Sequence, residues 1–485
     1  MIRSRHLPLL LIAAVLVAFG AAGLEYSRTD SFGQSAAAFA AALIALAVAG
    51  LALSLPGLSL RGGVIGGLFV LAGMLTWTST DRPIVIWAVL AVEVVVFAVW
   101  GWPWLANSRS LPRLGAAWLG LTYWFFGVLG ALLVVHLKVA GQRVAYAAVF
   151  TLAVLAVVAV ASRQRKDLSI GMAAAILLGI AALLLVGSGS LFDVRHAVPD
   201  SPSAKVMWNR FWGGPGLFYH PNSLAGLVVA AGIRIGFDRA IAAWQRFGVA
   251  AVVALVLSIS DSRTGFVFAT AAAVVFAAVT LWRRHTDIDA RGRTAWIAMA
   301  TPFVVLAIVF TVGGGSQFIF RDRFNDGGGD VTSGRTDTWR QVWVDWRAAG
   351  WAEKAFGDAR TSRAVVKRLD DGAPPEGPRR QLNTDNAAVG AFRRGGVLGA
   401  AAFGVGLALL LWHAARRRPD GTMPAAWFTV GAAAIVPTIA TEDWLIGGTN
   451  GAIWLLLLAG EARAVLRSEP PAVTETPAPV EPAVS

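Results

Sequence analysis

LSIGMAAAILLGIAALLLVG, residues 168–187, runs for twenty positions without a charged side chain. A helix of about 20 apolar residues spans the hydrocarbon core of a bilayer, whereas a buried strand needs only about 4–8. The stretch is therefore read as a membrane-crossing helix. Similar apolar runs lie at about 7–24, 35–55, 62–78, 83–102, 115–136, 143–161, 221–237, 246–260, 264–282, 295–313, 395–414, 423–440 and 445–461. With 168–187 they number fourteen, of which the short runs 62–78 and 246–260 are the weakest candidates. The expected fold is an all-α integral membrane protein of about 12–14 transmembrane helices.

Composition agrees. Of 485 residues 56% are hydrophobic and 15% charged, against about 45–50% and about 25% in soluble chains. The chain has no cysteine, which excludes disulfides, thiolate zinc sites and a cysteine nucleophile. Arg3 and Arg5 ahead of the first run, with small residues at Ala21–Gly23, resemble a signal peptide. The run is longer than a signal's apolar core and more spans follow, so an uncleaved first helix is expected.

Basic residues orient the spans. With the N-terminus inside, Arg109, Arg113, Arg163, Arg165, Lys166, Arg283, Arg284, Arg291, Arg293 and Arg416–Arg418 are cytoplasmic. The short loops opposite hold few, such as Arg28, Arg82, Lys138 and Arg143. This is the positive-inside pattern, and it accounts for most of the +13 net charge. Nucleic-acid binding is not expected, because these residues are dispersed between spans.

The chain divides into an N-terminal transmembrane bundle (1–187), central transmembrane helices (188–313), a large extracytoplasmic loop (314–394), C-terminal transmembrane helices (395–467) and a disordered cytoplasmic tail rich in Pro, Ala and Glu (468–485). The loop holds 14 basic and 11 acidic side chains in 81 residues, a density that lipid cannot host. It is expected to contain short helices. Trp339, Trp343 and Trp346 fall on one helical face and should lie against the bilayer or the bundle.

Four polar clusters fall on the same, outer side: FYHPN (218–222), SISDSRTG (258–265), SGRTDTW (333–339) and NTDN (383–386). Polar groups gathered on one side suit an outward-opening cavity. Arg263 and Arg335 are the candidate oxyanion ligands, since a planar guanidinium matches phosphate oxygens; Arg335 also stands where a helix N-terminus would assist. The plainer role for Arg263 is interfacial, paired with Asp261 or reaching to headgroups. His220 has a pKa suited to a general base, or it caps the helix it precedes. Asp385 could take a proton from a hydroxyl, or cap the following helix or pair with Arg393 or Arg394. Glu442 and Asp443 form a further outer acidic pair. Glu93 sits mid-span among Val and Ala, where pairing inside the bundle is expected and a proton relay is the alternative. Asp326–Asp330 reads as a solvated turn more readily than as a Ca²⁺ loop. No phosphate-loop or HExxH motif occurs.

PGLFYHPNSLAG (215–226), SDSRTG (260–265), SGRTDTW (333–339) and NTDNAAVGAFRRGGVLG (383–399), in that order, resemble the O-antigen ligase and polymerase superfamily of bacterial integral membrane glycosyltransferases. Phe356-Gly357-Asp358 is similar to a glycine step of that family. The resemblance covers about 210–400. It implies transfer or polymerisation of glycans from an undecaprenyl-diphosphate-linked donor onto a glycan or lipid acceptor, at the outer face of the bacterial plasma membrane. It assigns Arg263 and Arg335 to the donor diphosphate and needs neither metal nor cofactor. Ligases of the family carry a catalytic His near the loop's end, where this chain has Thr384-Asp385-Asn386. The expected base is then Asp385 or His220, and the substitution favours a polymerase or another transfer over a strict ligase. The competing classes are a multi-span polysaccharide or lipid-linked sugar transporter, which should show internal repeats, and a scaffold for envelope assembly.

Overall fold

A computed structural model describes residues 7–75, 84–107, 113–163, 167–186, 221–238, 240–260, 262–283, 335–358, 365–369, 379–417, 423–445 and 451–466. The chain is helical there: α1 (Leu7–Thr29), α2 (Phe32–Leu53), α3 (Leu60–Leu75), α4 (Ile84–Asn107), α5 (Gly115–Leu133), α6 (Leu137–Arg163), α7 (Asp167–Val186), α8 (Pro221–Gly236), α9 (Ala243–Ser260), α10 (Arg263–Arg283), α11 (Arg335–Ala348), α12 (Trp351–Phe356), α13 (Ala387–Ala415), α14 (Ala426–Ala434) and α15 (Gly451–Leu466). Six described helices, α2, α5, α6, α7, α9 and α13, are long and apolar enough to cross a membrane. The other apolar runs also fall on described helices, except 295–313, which lies outside the described residues.

Lipid tails are as apolar as leucine, so membrane helices associate through close packing. Small residues permit it here. A Cβ built on Gly66 of α3 would stand 2.2 Å from the Gly171 backbone of α7, so these helices touch main chain to main chain. The central strut is α15, which packs on α3, α5, α6, α7, α8, α13 and α14 and buries almost every side chain it carries. It is fastened at one end by Glu461, which is fully buried. Its carboxylate accepts the Gly115 and Ala116 N–H groups at 2.6 and 2.8 Å, capping α5, and meets His413 Nδ1 at 2.7 Å.

The fold departs from expectation in three places. The segment between α12 and α13 contains a two-stranded antiparallel hairpin, β1 (Val365–Leu369) and β2 (Arg379–Asn383), with Val365 opposite Asn383 and Leu369 opposite Arg379. The fold is therefore not strictly all-α. VVKRL and RRQLN flank DDGAPPEGP (370–378), and a Gly/Pro-rich stretch between two short runs is a hairpin signal that their charge obscured. Secondly, the run at 423–440 is no continuous helix. Pro437 lacks an N–H for a helical ladder, so α14 gives way to a 3₁₀ turn, Val436–Ala440, that delivers Thr441–Asp443 to the bundle end. Thirdly, α13 starts well before position 395 and is broken at Gly396, with φ 63° and ψ −156°.

That break seats the end of α12. Gly357 has φ 89°, and its Cβ would fall 2.2 Å from the Arg394 backbone, while one on Gly396 would fall 2.4 Å from Ala355. Only glycine fits either place. The Asp358 N–H then bonds the Arg393 carbonyl at 2.9 Å, and the Arg393 guanidinium meets Asp358 at 3.0 Å and Asp345 at 3.4 Å. Arg143 of α6 ties the junction to the bundle, donating to the carbonyls of Asp358 and Gly127.

Candidate functional site

The starts of α8, α10, α11 and α13 and the end of the 3₁₀ turn meet at the end of the bundle opposite Glu461. Asn222, in the first turn of α8, donates from Nδ2 to Glu442 Oε1 at 2.6 Å. Thr264 of α10 donates its hydroxyl to the same oxygen at 3.3 Å. The amide orientation follows from its other partner. Ser262 Oγ accepts the Gly265 N–H at 3.0 Å, so its proton is directed to Asn222 Oδ1, 2.9 Å away, and Nδ2 faces the carboxyl group.

Arg335 is the first residue of α11. Its Nη1 donates to the Thr441 carbonyl at 2.8 Å, and its Nη2 faces Asp385 at 3.6 Å and Glu442 at 3.9 Å. Both are ion-pair separations longer than a hydrogen bond, and the arginine side chain is 25% exposed. A partly engaged guanidinium keeps donors for an incoming oxyanion.

Asp385 has φ 42°, the left-handed region that Asp tolerates better than most residues. Its neighbours hold it there. Trp339 of α11 donates its indole N–H to the Thr384 carbonyl at 2.7 Å. Asn386 caps α13 by accepting the Val389 N–H at 2.9 Å. The cap expected of Asp385 is thus supplied by Asn386, and its ion pair is with Arg335, since Arg393 is engaged by Asp345 and Asp358. The tryptophan stripe is a packing face. Trp343 stacks on Trp346 at 4.8 Å, and Trp346 lies 5.3 Å from Phe392 of α13, so the α11 face is turned to the bundle.

Burial shapes the charge of the site. Glu442 is pushed up to about 8, by loss of water and then by Asp385, against the pull of Arg335. Asp443 is raised to about 6 by the same loss and by Asp385. Asp385 is raised by burial and held back by Arg335. One guanidinium cannot keep the whole acidic group ionised at neutral pH. Among the described residues no group of three or more His, Asp or Glu side chains is placed to hold a metal ion.

Of the expected site residues, Arg335 and Asp385 are brought together. Arg263 opens α10 between Ser262 and Thr264, both members of the network, while its side chain lies outside the described residues, as does all of His220. Glu442, Asn222 and Thr264 carry more of the geometry than their sequence signal promised. The available signal was Thr441-Glu442-Asp443 itself, two carboxylates wedged between apolar runs. Glu93 behaves differently from its expected pairing: 1% exposed, it has no hydrogen-bond partner for either oxygen among the described residues. Compared with family models, curated proteins and solved structures, the chain matches none.

Proposed function

We propose that the protein is a membrane glycosyltransferase that transfers or polymerises glycans from an undecaprenyl-diphosphate-linked donor at the outer face of the bacterial plasma membrane, in cell-surface polysaccharide synthesis. One observation carries the reading: Arg335, at a helix N-terminus, faces Asp385 at 3.6 Å. A diphosphate-binding cation and a carboxylate able to accept a proton stand within one sugar of each other. The acceptor hydroxyl attacks the anomeric carbon and forms the new C–O bond. The bond to the diphosphate breaks, with inversion, and the hydroxyl proton passes to Asp385. Arg335 and Arg263 stabilise the negative charge that builds on the departing diphosphate. His220 is the other candidate base.

The test replaces Arg263 and Arg335 with alanine, singly, and follows surface glycans in cells and transfer by the purified protein. Loss of transfer with normal membrane accumulation is expected; full activity in both variants would overturn the assignment. Deletion followed by glycan analysis separates two outcomes. Lost chain length marks a polymerase, and intact polymer missing its final attachment marks a ligase. Glu93, buried and without a hydrogen-bond partner among the described residues, and the protonatable carboxylates favour the second reading, a proton-coupled transporter of lipid-linked glycans. A transferase works in detergent, without two compartments, and a transporter does not.

A further inference from the structure

We propose that Glu442 is a positioning residue of the anion site: as the neutral acid it anchors Asn222 and Thr264 beside Arg335 and leaves the guanidinium's charge to an incoming diphosphate diester. The inference rests on the proposed binding of the donor at Arg335.

Glu442 sits at the junction of four elements. It accepts from Asn222 of α8 and Thr264 of α10, faces Arg335 of α11, and follows the 3₁₀ turn. Its side chain is 9% exposed, against 38% for Asp385. The other ionisable groups around it are Asp385, before α13, and Asp443, its neighbour. Arg394 acts on Asp443, and Arg263 opens the helix that carries Thr264. Two carboxylates thus face one Arg335 nitrogen, and the drier of the two is the one that keeps a proton. A neutral acid still accepts the Asn222 and Thr264 bonds at its carbonyl oxygen, so the scaffold survives without the charge. Raised to about 8, Glu442 is mostly neutral at pH 7, and Arg335 is then opposed by Asp385 and by Asp443.

A bound dianion repels an ionised Glu442, so binding raises its proton affinity further. Above the free-state value, binding must take up a proton, and affinity falls by up to about tenfold per pH unit. Below it, affinity is flat with respect to this group.

The experiment titrates the purified full chain in nanodiscs with farnesyl-diphosphate-glucose, a diester whose phosphates do not themselves titrate across the range. Calorimetry from pH 6.5 to 9 in two buffers of different ionisation enthalpy counts protons. Wild type is expected to take up close to one proton at pH 9, with affinity falling above pH 8, and Glu442→Gln to lose both the uptake and the slope. Absence of uptake in wild type, or the same uptake in Glu442→Gln, would overturn the inference. Should that variant not accumulate, Asp443→Asn, which spares Glu442, is expected to keep the uptake, and its loss there would overturn the inference. No binding at any pH would overturn the donor reading itself, whereas binding without proton uptake overturns only the role of Glu442.

Discussion

Asn222 and Glu442 are 220 positions apart and meet at 2.6 Å, joining the start of α8 to the turn after α14. Replacing Asn222 with Asp adds a fourth acid to Glu442, Asp443 and Asp385 and removes the amide donor. Transfer is expected to fall at least about tenfold, since a buried acceptor that loses its donor costs about 1–3 kcal/mol. Asn222→Gln, longer but chemically alike, should keep more activity than Asn222→Asp. Equal losses would mean that shape, not the donated hydrogen bond, is what matters.

Asp385→Asn keeps the size of the side chain and removes the base. A fall of about 10²–10⁴-fold in kcat is expected, with donor affinity kept or tightened because Arg335 loses an opposing charge, while His220→Ala keeps most of the rate. The reverse pattern would hand the role of base to His220. The pH profile gives the sign independently. A base must be ionised, so activity falls as pH drops through its pKa. Because burial raises Asp385, the acidic limb should lie above the ordinary carboxylate range of about 4.

Gly396→Ala is expected to destabilise the protein by about 3 kcal/mol or more, since it adds backbone strain to a Cβ 2.4 Å from Ala355. Gly404 lies on the same helix with nothing within 4 Å of a built Cβ. There alanine should be neutral or stabilising, because glycine inside a helix is about 1 kcal/mol worse than alanine. Thermal unfolding in detergent reads both, and equal effects would contradict the interlock of α12 with the break in α13.

Glu461→Ala strips the cap from α5 and leaves two buried N–H groups without their acceptor. A loss of about 2–4 kcal/mol is expected. Activity per folded molecule should be unchanged, because this cap lies at the far end of the bundle from Arg335. A selective loss of activity at unchanged melting temperature would show that the two ends communicate.

Glu93→Leu should stabilise the protein by about 1–3 kcal/mol, because it removes a buried carboxyl group with no partner among the described residues. A stable variant that has lost its function would instead make Glu93 a proton carrier and favour transport.

The long apolar helices were legible because lipid imposes a length: a run such as 168–187 has few alternatives to a helix. Arg335 and Asp385 were legible as polar motifs at the edges of such runs. Glu442 was legible only as half of an outer acidic pair with Asp443, and its weight in the site shows once Asn222 is placed beside it. The hairpin was hidden by its own charge, Lys367, Arg368, Arg379 and Arg380 breaking the apolar alternation that marks a strand. The break at Gly396 was invisible for another reason. A glycine pair in an apolar stretch announces freedom of conformation, and only the arrival of Gly357 says what that freedom is for.

The contact between Gly357 and Gly396 also closes the chain between them into a ring. Both ends of that ring are pinned at one spot on the bundle, so what lies between is an exchangeable module. Lengthening a closed loop costs only about 0.6 kcal/mol per doubling. The hairpin can therefore be enlarged, trimmed or replaced by grafting while its anchor points stay fixed. Asp385, near the ring's closing end and secured by the Trp339 bond to Thr384, keeps its place by Arg335 whatever the graft carries.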